Sequence, residues 1–211
     1  MTSPQQPAEP SYADRVFRSP AGIAGGGLLL ALLAWMVGDA LVRGEGRTPW
    51  LALAAALIAV PLIVAFSVRP AVFVNEERLR IRNPFRTITL PWSAVADVRA
   101  GYSSEVFTTE GVKYQLWAVP VSLRQRKRAA RRQMQRATDD PHGTTSVHAD
   151  VSDSAARMAP ADQTIADLRE MAERLGPRSS AQGGPQVRWA YELLAPVVAG
   201  AVLLALVLGL A

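Results

Sequence analysis

The chain has 211 residues, of which 49% are apolar and only 19% charged, below the roughly 25% usual for soluble globular chains. Charge is absent from residues 19–38, 48–68 and 193–211, and each block has the length of about 20 residues that a helix needs to cross a hydrocarbon core. A simple soluble enzyme is excluded. With no cysteine in the chain, disulfides, thiol nucleophiles, iron–sulfur clusters and cysteine-ligated zinc are excluded too.

Residues 1–18 are polar, contain Pro4, Pro7 and Pro10, and are expected to form a disordered tail. The first apolar run, 19–42, is too long for the core of a cleaved signal and is read as a retained anchor. Gly22 and Gly26 make a GxxxG spacing, which either lets this helix approach the second or third span closely or merely loosens its start. Asp39 lies near its far end, within reach of water. The short connection Arg43–Pro49 forces the first two spans into an antiparallel hairpin. The second span, 48–68, begins at Trp50, where an indole suits the interface, and Pro61 is expected to kink it. The third, 189–211, starts at Trp189 and Tyr191 and carries Glu192 within a turn of the interface.

Lys and Arg near the span ends set the orientation. Segment 69–188 holds 19 of the 23 basic residues, and no basic residue follows the third span. The N-terminus and 69–188 are therefore expected in the cytoplasm, with the C-terminus outside, in a multi-pass protein of the plasma membrane.

Residues 70–121 read as six short strands. Ala71–Val74 is a β-rich run closed by Asn75-Glu76-Glu77, and Arg78–Arg82 alternates strictly, with Leu79 and Ile81 inward. Arg86–Leu90 alternates again after Asn83-Pro84. Ala94–Ala100, Glu105–Thr109 and Val112–Val119 follow, the last two flanking the hairpin signal Glu110-Gly111. Six strands joined by tight turns describe an antiparallel meander that bends on itself.

The run Glu77-Arg78-Leu79-Arg80-Ile81-Arg82-Asn83-Pro84-Phe85-Arg86-Thr87, then Leu90-Pro91-Trp92-Ser93-Ala94-Val95-Ala96-Asp97-Val98, Glu110-Gly111 and Leu116-Trp117-Ala118-Val119-Pro120, resembles the bacterial pleckstrin-homology-like (PH-like) domains. In particular it is similar to the actinobacterial membrane proteins grouped with the low-molecular-weight protein antigen 6 family. The resemblance spans about a quarter of the chain. It implies an α+β domain built as a partly open antiparallel β-barrel, closed by a C-terminal helix and tethered by nearby spans, and it implies a fold more than a function. The chain departs from that pattern in showing no seventh strand after Val119. Its capping helix, expected at 162–176 with Thr164 and Asp167 as a capping box, is displaced by other material. Ile165, Leu168, Met171, Ala172 and Leu175 form the apolar face of that helix, which either closes the barrel or binds a partner.

Between them, 122–137 is expected to be a polybasic helix and 138–161 a disordered linker. Arg124, Arg126, Lys127, Arg128, Arg131, Arg132 and Arg136 place seven cations there without one acid. They serve either as a plain cytoplasm-retaining segment or as a site for anionic lipid, each cation near an anionic leaflet contributing roughly 1 kcal/mol. Arg78, Arg80 and Arg82 share one face of a strand, with Arg86 nearby. That face is either simply solvated and a guard against edge pairing, or turned toward lipid headgroups. Nucleic acid is disfavoured as a partner, because no aromatic residue between Trp117 and Trp189 interleaves with the cations for stacking.

No enzyme motif is present: there is no GxSxG elbow, phosphate-binding loop or HExxH pair. The two histidines, His142 and His148, sit in a polar stretch that reads as loop. The expectation is a non-enzymatic protein of three transmembrane helices and a cytoplasmic PH-like domain, without cofactor or metal. It would dock anionic lipid or a protein, or act as an assembly subunit through its sheet edge or the 164–175 helix.

Overall fold

The computed structural model describes residues 14–121 and 160–209. The polybasic helix expected at 122–137, with its seven cations, and all but the last two residues of the expected linker 138–161 lie outside the described residues. The chain runs β1 (Arg15–Phe17), α1 (Pro20–Arg43), α2 (Thr48–Ile63, continued by a π-helical turn Val64–Val68), β2 (Ala71–Val74), β3 (Arg78–Arg82) and β4 (Arg86–Pro91). After a 3-10 turn at Trp92–Ala94 come β5 (Val95–Ala100), β6 (Ser104–Thr108), β7 (Lys113–Gln115), α3 (Pro160–Leu175), β8 (Gln186–Trp189) and α4 (Tyr191–Gly209).

Helix α1, α2 with its π turn, and α4 are each long and apolar enough to cross a membrane. Ser19 starts α1 by accepting the Gly22 amide at 3.2 Å, and Pro20 follows where no donor is needed. Pro61 removes a backbone donor from α2, which then widens into the π turn, closed by the Arg69 amide donating to the Val64 carbonyl five residues back. The GxxxG spacing meets the second span. A Cβ on Gly26 would stand 2.4 Å from the Ser67 Cβ, whereas one on Gly25 meets nothing within 4 Å. Gly200 makes the matching close approach of α4 to α2, where a Cβ would lie 2.8 Å from Leu57 and Ile58. Leu28, Trp35 and Val42 point outward from α1, fully in keeping with a lipid-facing surface.

Alternation in β3 and β4 buries Leu79, Ile81, Ile88 and Leu90 on one face. The domain holds two antiparallel sheets, one ordered β1-β2-β3-β4-β8 and the other β5-β6-β7. The two sheets do not close on each other into a full barrel. The edge of β4 pairs with β8 instead of β5, from Arg86 opposite Trp189 to Thr89 opposite Gln186. Between the sheets Trp92 turns inward, fully buried, its indole N–H donating to the Asn75 carbonyl at 2.8 Å. Gly111, at φ +79°, turns the chain between β6 and β7.

Two strands arise where none was expected. Residues 15–17 were expected within a disordered tail, yet pair with β2, Phe17 opposite Val72 and packing toward the core. The missing later strand is β8, placed after the helix and just before α4, so the third apolar helix begins at Tyr191 and not at Trp189. Both pieces are too short to announce themselves and form because each finds a ready sheet edge. Helix α3 begins at Pro160, which takes residues 160 and 161 out of the expected linker and puts Thr164 inside the helix. Thr164 is therefore not at the cap position, and Asp167 pairs with Arg15 at 2.9 Å.

The apolar face of α3 closes the core: Ala161, Ile165, Leu168 and Leu175 are buried, and Met171 and Ala172 pack beside them. Arg169 fastens the helix to β5, donating to the Val98 carbonyl at 2.6 Å and to Asp97 at 3.3 Å. Hydrogen bonds from Arg99, then from the Val98 amide, with the Arg169 charge nearby, hold the Asp97 carboxyl below its ordinary pKa against the opposing effect of burial.

Gly26→Val should lower the apparent Tm of the purified protein and loosen the α1–α2 pair, while Gly25→Val leaves both unchanged. Because the folded-state pKa of Asp97 is depressed, its stabilisation is present above the unfolded-state value and lost as pH falls through the folded one. Asp97→Asn should therefore lower Tm at pH 7 by about 2–4 °C and flatten the acid side of the Tm-against-pH profile.

Candidate functional site: an arginine-lined trough

Residues opposite in register share a sheet face. Phe73 pairs with Arg80, Arg80 with Thr89, and Arg82 with Thr87. The face of the five-stranded sheet turned away from the core thus carries Phe73 from β2, Arg78, Arg80 and Arg82 from β3, Thr87 and Thr89 from β4, and Gln186 and Arg188 from β8. With Arg69, Asp14 and Glu192 they line an open trough of about 550 Å³.

The trough starts at the membrane-competent helices. Ala71, three residues past the π turn, pairs with Arg82, while Val74 at the far end of β2 pairs with Leu79. Arg82, Arg69, Arg188 and Glu192 therefore stand at the helix ends, and Arg78 lies roughly 13 Å further out at the usual strand rise.

Five arginines meet three carboxylates here, and the pairing is uneven. Arg69 reaches Glu192 at 2.9 Å, Arg80 reaches Asp14 at 2.7 Å, and Arg78 pairs with neighbouring Glu77 at 3.3 Å. Asp14 also accepts from the Asn75 amide side chain at 3.2 Å. Arg82 and Arg188 have no carboxylate within ion-pair distance among the described residues. Arg80 and Arg82 lie over the Phe73 ring, 4.5 and 5.3 Å from its centroid, which fixes their direction more than it neutralises them. The Arg82 Nε is buried and finds no acceptor among the described residues. Burial first, then the charges of Arg69, Arg80 and Arg18, lower the pKa of this guanidinium, with Glu192 opposing. Arg82 is thus a cation held at a cost that an incoming anion would relieve.

The structure brings Arg78, Arg80 and Arg82 into one trough. Arg86 projects from the opposite face, 5.7 Å over the Tyr114 ring. Arg69 and Arg188 were missed as site residues, since nothing local in the sequence sets them beside β3. The alternation of Gln186-Val187-Arg188-Trp189 was the one available sign for Arg188. Among the described residues no cluster of His, Asp and Glu could hold a metal ion.

The described residues thus form two antiparallel sheets capped by a helix and attached to three membrane-competent helices, with a cationic trough at their junction. A family model for the bacterial PH domain matches residues 69–178, just over half of the chain, and the protein belongs to that family. PH domains are as a class non-catalytic binding modules. The matched region leaves out β1 and β8, the two outer strands of the larger sheet. No curated protein matches the chain, and no solved structure does.

Replacing the strained cation should reveal its cost: Arg82→Met should raise the apparent Tm of the ligand-free protein by about 1–3 °C, measured in neutral detergent.

Proposed function

We propose that this protein is a three-span membrane protein whose PH domain lies on the cytoplasmic side and docks anionic lipid headgroups in the arginine trough. The observation that carries the reading is the position of the trough: Arg82 and Arg188, without an ion-pair partner among the described residues, stand at the end of the helices that enter the bilayer, at headgroup height. A phosphate there gains two guanidinium partners and the Thr87 hydroxyl, in a partly desolvated setting that strengthens charge-assisted hydrogen bonds. The seven cations of 124–136 act as a second, less selective attraction to the same leaflet. The excess of Lys and Arg before the third span supports the cytoplasmic side.

The assembly-subunit reading loses one of its two surfaces, because the apolar face of 164–175 is spent inside the domain. The sheet edges are left to it, at β1 and β8.

The test uses the full chain, because β1 and part of β8 fall outside 70–188. Purified protein in neutral detergent is titrated with phosphatidylglycerol or with phosphatidylcholine, and retained lipid is counted by native mass spectrometry. Phosphatidylglycerol should be retained selectively, should raise Tm as a ligand of the folded state does, and should lose about tenfold in affinity in Arg82→Gln/Arg188→Gln. Equal retention of both lipids, or an unchanged double variant, would overturn the reading.

A further inference from the structure

A second feature of the junction is apolar and independent of the trough. Phe66 lies in the π turn that ends α2, about 46% exposed, and two rings of the PH domain pack edge-on against it. Phe85, from the turn between β3 and β4, and Trp117, from the segment after β7, each have centroids 5.4 Å from that of Phe66. Trp117 keeps 42% of its surface exposed. A folded domain ordinarily buries such a cluster; here Phe66 and Trp117 stay exposed while Phe85, half-buried, packs against Phe66.

Span length fixes their depth. Thr48–Val68 is 21 residues, about 31 Å of helix, which matches the hydrocarbon thickness with little to spare. Phe66 is two residues from the end of that stretch, and Trp50 stands near the other end. Rings in contact with Phe66 must share its depth, near the boundary between acyl chains and headgroups, where aromatic side chains are favoured.

The turn bearing Phe85 is held there by three bonds. Arg69 Nε donates to the Asn83 carbonyl at 3.3 Å, the Ala190 amide donates to the Phe85 carbonyl at 2.8 Å, and the Asn83 side-chain amide donates to the Gln115 carbonyl at 2.9 Å. One short turn is thus bolted to α2, to the start of α4 and to the strand that leads to Trp117.

We infer that Phe85 and Trp117 form, with Phe66, an aromatic seat by which the PH domain is sunk into the acyl-chain boundary of the bilayer, so that the domain rides in the membrane surface at a fixed height. The occupant of this patch is lipid, charged or neutral, because the contact is apolar. The seat therefore stands or falls separately from the anion preference of the trough.

The chain has no cysteine, so single nitroxide labels are placed at Trp117→Cys and, as a reference on the distal hairpin, at Glu110→Cys, in the full protein reconstituted in phosphatidylcholine and in phosphatidylglycerol nanodiscs. The label at 117 should relax faster with oxygen than with a water-soluble nickel reagent in both lipids, and the label at 110 should show the reverse. The native indole gives a second readout: the emission lost in Trp117→Phe should be the fraction quenched by lipids brominated near the headgroup end of the chain. Aqueous exposure at 117 would overturn the inference. So would a label shielded from both reagents with spin–spin broadening, which would show a second copy covering the patch.

Discussion

The guanidinium of Arg69 is the point through which the two halves of this molecule are joined. It sits at the end of the π turn with its side chain only 14% exposed, and reaches Glu192 at the start of α4, the Thr87 hydroxyl on β4 and the Asn83 carbonyl in the adjoining turn. Without it the sheet would keep only the Ala190 amide on the Phe85 carbonyl and the packing of Phe85 and Trp117 on Phe66, beside the covalent links. An exposed ion pair contributes little to stability, but a planar fork with several fixed acceptors sets geometry as well as energy. Its consequence is that the large sheet is held with one edge of its outer face at the helix ends.

That constraint turns an ordinary strand pattern into a site. Alternating arginines on β3 would be a solvated face on a free domain. Held at the helix ends, the same alternation places Arg82 beside Arg69 and Arg188 and leaves a cation with more positive neighbours than negative ones. Asp14, carried in by β1, neutralises Arg80 at the outer part of the trough, so the unbalanced charge collects at the helix end.

The outer strands of the large sheet carry a related lesson. β1 precedes the first apolar helix and β8 immediately precedes the last, so the sheet is assembled from segments on both sides of the membrane-competent helices. Folding of the domain and packing of those helices are thereby coupled: β1 and α1 share one short linker, as do β8 and α4. Gly26 against Ser67 and Gly200 against Leu57 allow the close helix packing that keeps these segments in reach of the sheet.

The local periodicity of the chain determined most of the elements by itself. Three uncharged blocks declared the apolar helices, strict alternation declared β3 and β4, and the apolar stripe of 165–175 declared a helix with one face to bury, because periodicity is a local property of sequence. Tertiary structure alone decided the rest. Three residues at 15–17 and four at 186–189 have no stability as isolated strands and acquire it only from the edges of β2 and β4. Thr164 falls inside α3, which starts at Pro160, and Arg69 and Arg188 became site residues by long-range pairing. The trough is a sum of charges on strands far apart in sequence, and only the ladder that brings those strands together could create it.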